Sequence, residues 1–92
     1  MRRFNGLWIV TLVLGMSACA TGPTLLDLRR AQTHRDLADL KLHKGETNFA
    51  VREYRAALEL NPEDAEAYFG LGEAFRRRSE FVEAERHFKR AF

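Results

Sequence analysis

Few residues of this 92-residue chain could do chemistry, and their spacing narrows them further. Cys19 is the only thiol, so no disulfide can form within the chain, and its sulfur is a nucleophile open to covalent modification. His34, His43 and His87 include no pair four residues apart, and none has a cysteine or a carboxylate cluster nearby at ligand spacing. That pattern argues against a metal site. The sequence also has no Gly-rich phosphate loop, no paired cysteines at zinc spacing and no Ser/His/Asp constellation. The residues therefore point away from an enzyme, a cofactor and a small-molecule substrate, and leave covalent modification of Cys19 as the one chemical event the sequence prepares.

The segment before Cys19 explains that event. Met1-Arg2-Arg3-Phe4-Asn5-Gly6 is a short basic start, and Leu7 to Met16 is an uncharged, mostly apolar run of ten residues. Such a run covers about half of a bilayer core, which suits the apolar stretch of a signal peptide and is too short for a membrane anchor. Met16-Ser17-Ala18-Cys19 then resembles the lipobox of bacterial lipoproteins, an apolar residue and two small ones before a cysteine, with Met16 where leucine is usual. The resemblance implies removal of residues 1–18 by the lipoprotein signal peptidase, which needs a small residue at Ala18, and acylation of Cys19, detectable as palmitate. Two acyl chains already attach a protein stably, at about 0.8 kcal/mol per buried methylene. Ala20 stands where inner-membrane retention signals place aspartate, which implies sorting to the periplasmic face of the outer membrane. Two other readings remain: an ordinary secretory leader with Cys19 a bystander, and twin-arginine export through Arg2-Arg3. The strongly apolar run disfavours the second.

Charge adds little. The formal net charge is +2, and without Arg2 and Arg3 the remaining chain has thirteen side chains of each sign. A nucleic-acid partner is therefore not expected, since it would require a basic face on the folded part.

Positioning falls to the rest of the chain. Ala20-Thr21-Gly22-Pro23-Thr24 is small, polar and interrupted by Gly-Pro, as in an extended tether, assigned here to residues 19–25. Leu25 to Arg30 suits either the end of the tether or the first turns of a helix. Beyond it the chain repeats. A shift of 34 superposes Ala31 on Ala65, Leu37 on Leu71, Ala38 on Gly72, Ala50 on Ala84, Tyr54 on Phe88 and Ala57 on Ala91. Tyr68, Leu71 and Phe75 follow at spacings of three and four, and Phe81, Ala84, Phe88 and Ala91 continue the pattern, which stacks apolar groups on one helix face. Asn61-Pro62-Glu63-Asp64 stops one helix and starts the next. Helices are predicted at 26–44, 48–60, 64–78 and 81–91.

These residues resemble the tetratricopeptide repeat, which has that period. The fold class implied is all-α: antiparallel helical hairpins of a solenoid, about two repeats, with a first hairpin over 26–64 and an incomplete second over 65–92. His34 and Lys41 depart from the pattern, standing where aromatic groups usually pack. Phe92 falls before the second helix of its repeat normally finishes, so Phe81, Phe88 and Phe92 are expected to face solvent. The chain is accordingly expected to be a fragment of a longer array, the alternative being a core completed by self-association.

Tetratricopeptide modules bind peptides or partner helices in a concave groove lined by the first helix of each hairpin. The resemblance implies groove positions at Gln32, Arg35, Asp39, Leu42 and His43, then Glu66, Phe69, Glu73, Arg76 and Arg77. Phe69 lies off the Tyr68-Leu71-Phe75 stripe, and an aromatic beside cations suits an apolar side chain with an acidic or carboxyl-terminal group. The competing reading packs Phe69 against a neighbouring repeat and leaves Arg76-Arg77-Arg78 to solvate a helix end. A lipid tether followed directly by such repeats looks like the pilotin lipoproteins of type IV pili, the PilW/PilF/Tgl type, whose repeats bind secretin subunits. The expected partner is thus a protein client, a secretin subunit or another envelope protein, with the membrane engaged through the lipid on Cys19. The alternative function is a periplasmic scaffold lipoprotein of another envelope or export complex.

Overall fold

The computed structural model describes residues 22–92, which form four helices: α1 (Leu25–His43), α2 (Thr47–Leu60), α3 (Ala65–Arg77) and α4 (Phe81–Ala91). The leader, the lipobox and Cys19 lie outside the described residues. Among the described residues there is no strand, and no helix is long and apolar enough to cross a membrane. Each helix boundary falls within one residue of its predicted place. The fold is all-α, two antiparallel hairpins in which α1 packs on α2, α3 on α4, and α2 and α3 join the pairs.

Local chemistry sets the ends. The undecided segment after Leu25 is helical because Thr24 and Asp27 form a reciprocal capping box: the Asp27 amide donates to the Thr24 hydroxyl and the Thr24 amide to the Asp27 carboxylate, each at 3.1 Å. Both hairpin turns use one device. In the first, Gly45 takes a positive φ of 81° and the Glu46 amide donates to the Lys41 carbonyl; in the second, Ser79 takes 61° and the Glu80 amide donates to the Phe75 carbonyl. This is the left-handed helix end that closes orphan carbonyls, and it recurs at the 34-residue period with serine in the place of glycine. Between the hairpins, Asp64 caps α3 by accepting from the Ala67 amide at 3.1 Å.

The core is built on close approach. Seven of its twelve buried apolar residues are alanines, Ala31, Ala38, Ala50, Ala57, Ala67, Ala74 and Ala84, and Tyr54 and Leu71 are the largest side chains fully enclosed. Gly70 and Gly72 complete this arrangement. A Cβ at Gly70 would overlap the Tyr54 ring, and one at Gly72 would overlap Phe88. The two departures in the first hairpin are polar links between α1 and its neighbours. His34 Nδ1 lies 2.6 Å from the Glu53 carboxylate, while Lys41 pairs with Glu46 at 3.0 Å and sits over the Phe49 ring. Phe81 and Phe92 are exposed as expected, whereas Phe88 is half-buried against the core.

One polar group in this packing lacks a partner among the described residues. His87 Nδ1 is buried without a hydrogen bond, with the ring edge-on to Phe75 at 5.1 Å. Burial, then the charge of Arg86, depresses the imidazole pKa below its ordinary 6.5, against an opposing pull from Glu83.

Two outcomes follow from this packing. Gly70→Val forces a branched side chain into the Tyr54 ring and should lower stability in urea denaturation by about 2–3 kcal/mol; an unchanged midpoint would contradict the contact. For His87, the unfolded chain takes up a proton before the folded one does. Stability should therefore decline as pH falls through 6.5, until the folded imidazole also protonates, and His87→Leu should flatten that part of the pH profile.

Candidate functional site

The first helices of the hairpins, α1 and α3, lie side by side and bound a groove of about 810 Å³. Its walls follow from helical spacing. Glu66, Phe69 and Glu73 stand three and four residues apart on one face of α3, and Asp39 and His43, four apart, face them from α1. Leu42, Tyr54 and Gly70 line it from below, and Ala91 and Phe92 close one end. Gly70 contributes no side chain, so the Tyr54 ring reaches the groove floor.

Tyr54 is 1% exposed, and its hydroxyl donates to the Asp39 carboxylate. Burial first, then the hydrogen bond and charge of Asp39, push the phenol pKa far above its ordinary value of 10. Tyr54 is therefore a fixed neutral donor at physiological pH, tying the floor to the α1 wall.

Phe69 is 46% exposed. Its ring leans on Phe88 at 5.5 Å and meets Phe92 edge-on at 6.2 Å, distances at which aromatic pairs attract. One side of Phe69 thus packs on α4 of its own hairpin, where the competing reading had a neighbouring repeat, and the other side faces the groove.

The expected cationic platform is not where the sequence put it. Arg35 turns away from the groove and donates through Nη1 to both oxygens of Asp64 at 2.9 Å, with Nε 3.4 Å from Glu66. Burial opposes the charge on Arg35, but the Asp64 hydrogen bond and the carboxylates of Asp64, Glu66 and Asp36 outweigh it and raise its pKa. Arg77 lines the groove, yet its Nη1 donates to the Leu42 carbonyl at 2.6 Å, closing the C-terminal end of α1. Arg76 is on the opposite flank beside Phe81 and Phe88, where its guanidinium holds Glu73 at 2.7 Å. That hydrogen bond lowers the Glu73 pKa. Gln32 is exposed and does not line the groove.

The structure therefore brings together Asp39, Leu42, His43, Glu66, Phe69, Glu73 and Arg77, and leaves Arg35 and Arg76 outside the lining, each paired with one lining carboxylate, Glu66 and Glu73. Sequence reasoning missed Tyr54 and Gly70 as groove residues and Asp64 as the partner of Arg35. Tyr54 was visible only as the repeat counterpart of Phe88, and Asp64 only as a helix-start acid.

A family model described as a TPR repeat matches residues 38–77, fewer than half of the 92. The matched stretch runs from Ala38 in α1 to the end of α3, so it contains the Tyr54–Gly70 contact and most of the groove wall. The chain is also similar to Superkiller protein 3 of Schizosaccharomyces pombe, 35% identical in an alignment 69 residues long that covers 71% of this chain and 5% of that protein. The chain thus spans about a twentieth of the length of that curated relative. TPR repeats are helical modules for protein–protein interaction, in keeping with a groove of apolar floor and polar walls.

The Arg35–Asp64 pair has a measurable weight. Asp64 is 6% exposed and serves both as cap and as counter-ion. Asp64→Ala removes the cap and leaves a mostly buried guanidinium with only the exposed Glu66 in reach, so stability in urea denaturation should fall by about 3 kcal/mol. A loss under about 1 kcal/mol would mean that solvent already satisfies Arg35.

Proposed function

We propose that this chain is a lipid-anchored outer-membrane protein that holds a protein client in the concave groove, and that the client is a secretin subunit of a type IV pilus, as the resemblance to pilotins suggests. The observation that carries the client-binding part is Phe69, a large apolar side chain left half-exposed over the Tyr54 floor in the stretch matched by the TPR repeat. A partly exposed aromatic in a concave site is the kind of anchor on which binding energy concentrates. The anchor rests on Met16-Ser17-Ala18-Cys19. Acylation there supplies the membrane address, and the hairpins supply the grip.

The alternative, a periplasmic scaffold lipoprotein in another envelope complex, draws on the TPR match, which supports protein binding without specifying the client. One set of strains separates the two. Cys19→Ser should abolish palmitate labelling and release the protein from the membrane fraction. Phe69→Ala should keep the label and lose the co-purifying client. Deletion should abolish secretin multimers; normal multimers in the deletion strain would rule out the pilotin role, and an unlabelled wild-type chain would rule out the anchor.

A further inference from the structure

The groove walls carry a charge pattern that client binding alone does not explain. Three carboxylates, Asp39, Glu66 and Glu73, face the groove against one arginine, Arg77. Their states differ. Glu73 is compensated, since both its oxygens accept from Arg76. Asp39 accepts from Tyr54 through one oxygen and is otherwise open to the groove. Glu66 has 78% of its side chain exposed and meets only Arg35 Nε, at 3.4 Å. Two carboxylates with acceptor capacity to spare thus flank an apolar floor.

The arginines make the complementary point. Arg35 is held on Asp64, Arg76 on Glu73, and Arg77 on the Leu42 carbonyl. An acidic or carboxyl-terminal segment entering the groove would meet a single lining cation, Arg77, whose Nη1 is committed to the Leu42 carbonyl, and would approach Asp39 and Glu66 with like charge. A lysine or arginine would find two acceptors for charge-assisted hydrogen bonds and could lay its methylene stem along the Phe69 ring.

We infer that the groove selects a cationic amphipathic protein segment, in which a lysine or arginine stands within one helical turn of a large apolar side chain. The apolar group rests on Phe69, and the cation sits between Asp39 and Glu66. This inference rests on the reading that the concave face holds a client, and it replaces the acidic ligand expected from the sequence. Complementary charge of this kind governs partner choice and association rate more than total affinity. The expected signature is therefore discrimination between otherwise equal ligands.

The test uses the full chain and two fluorescent peptides of equal length with one leucine pattern, one carrying lysine and the other glutamate at the polar positions. Anisotropy is read at about 0.15 M salt, where charges beyond about 8 Å are screened. The lysine peptide should bind at least about tenfold tighter than the glutamate peptide. The double variant Asp39→Asn, Glu66→Gln keeps an amide oxygen that can accept from Tyr54, and it should erase that preference at unchanged helicity. Phe69→Ala should weaken binding of the lysine peptide. Equal binding of the two peptides, preference for glutamate, or a preference that survives the double variant would overturn the charge inference, while the groove reading stands if Phe69→Ala still weakens binding. If neither peptide binds, or if binding ignores Phe69→Ala, the groove reading fails and the inference with it.

Discussion

The Tyr54 ring lies against the backbone of Gly70, and its hydroxyl reaches Asp39, so one side chain of α2 touches both first helices of the two hairpins. Burying an aromatic of this size stabilises a fold by about 2–3 kcal/mol before any hydrogen bond is counted. The geometric consequence is larger than the energetic one. A side chain at position 70 would have to displace the Tyr54 ring from its place between the hairpins. Without the phenol on Asp39, α1 would lose its polar link to the groove floor. The spacing of α1 and α3, and hence the width of the groove, depends on that contact.

The rest of the packing follows the same logic of small residues and short distances. Alanines at 31, 38, 50, 57, 67, 74 and 84 let helices approach closely, and Gly72 admits Phe88 as Gly70 admits Tyr54. Polar links also join the elements. His34 with Glu53, Lys41 with Glu46, and Arg35 with Asp64 each tie an element to a neighbour. This architecture shapes the site chemically as well as sterically. The arginines that a groove could present to a ligand are engaged in holding helices together, and Asp39 and Glu66 are left facing the opening.

The helices and their core faces were legible because they are local patterns. The spacings of three and four along each helix and the stop-start signal at Asn61 to Asp64 act within a turn or two of the chain, and the 34-residue shift repeats them. The turn at Ser79 was less visible, since serine does not announce a positive φ as Gly45 does. The groove was legible only by analogy. Phe69, Glu73 and Asp39 line one concavity, but the partners of the arginines lie 29 residues away for Arg35 and 35 for Arg77. No local spacing reveals which carboxylate or carbonyl will claim a guanidinium. Gly70 was hidden for a similar reason: beside Gly72 it reads as a helix-weakening residue, and its role appears only when Tyr54 of the preceding hairpin arrives against it.

The most direct measurement is nuclear Overhauser contact between the Tyr54 ring protons and the Gly70 α-protons in the full chain. Strong cross-peaks there, together with contacts from the Phe88 ring to Gly72, are expected if the hairpins share one core and frame one groove. A folded, helical chain without Tyr54–Gly70 cross-peaks would contradict it, because the hairpins would then be separate units with no fixed groove between α1 and α3.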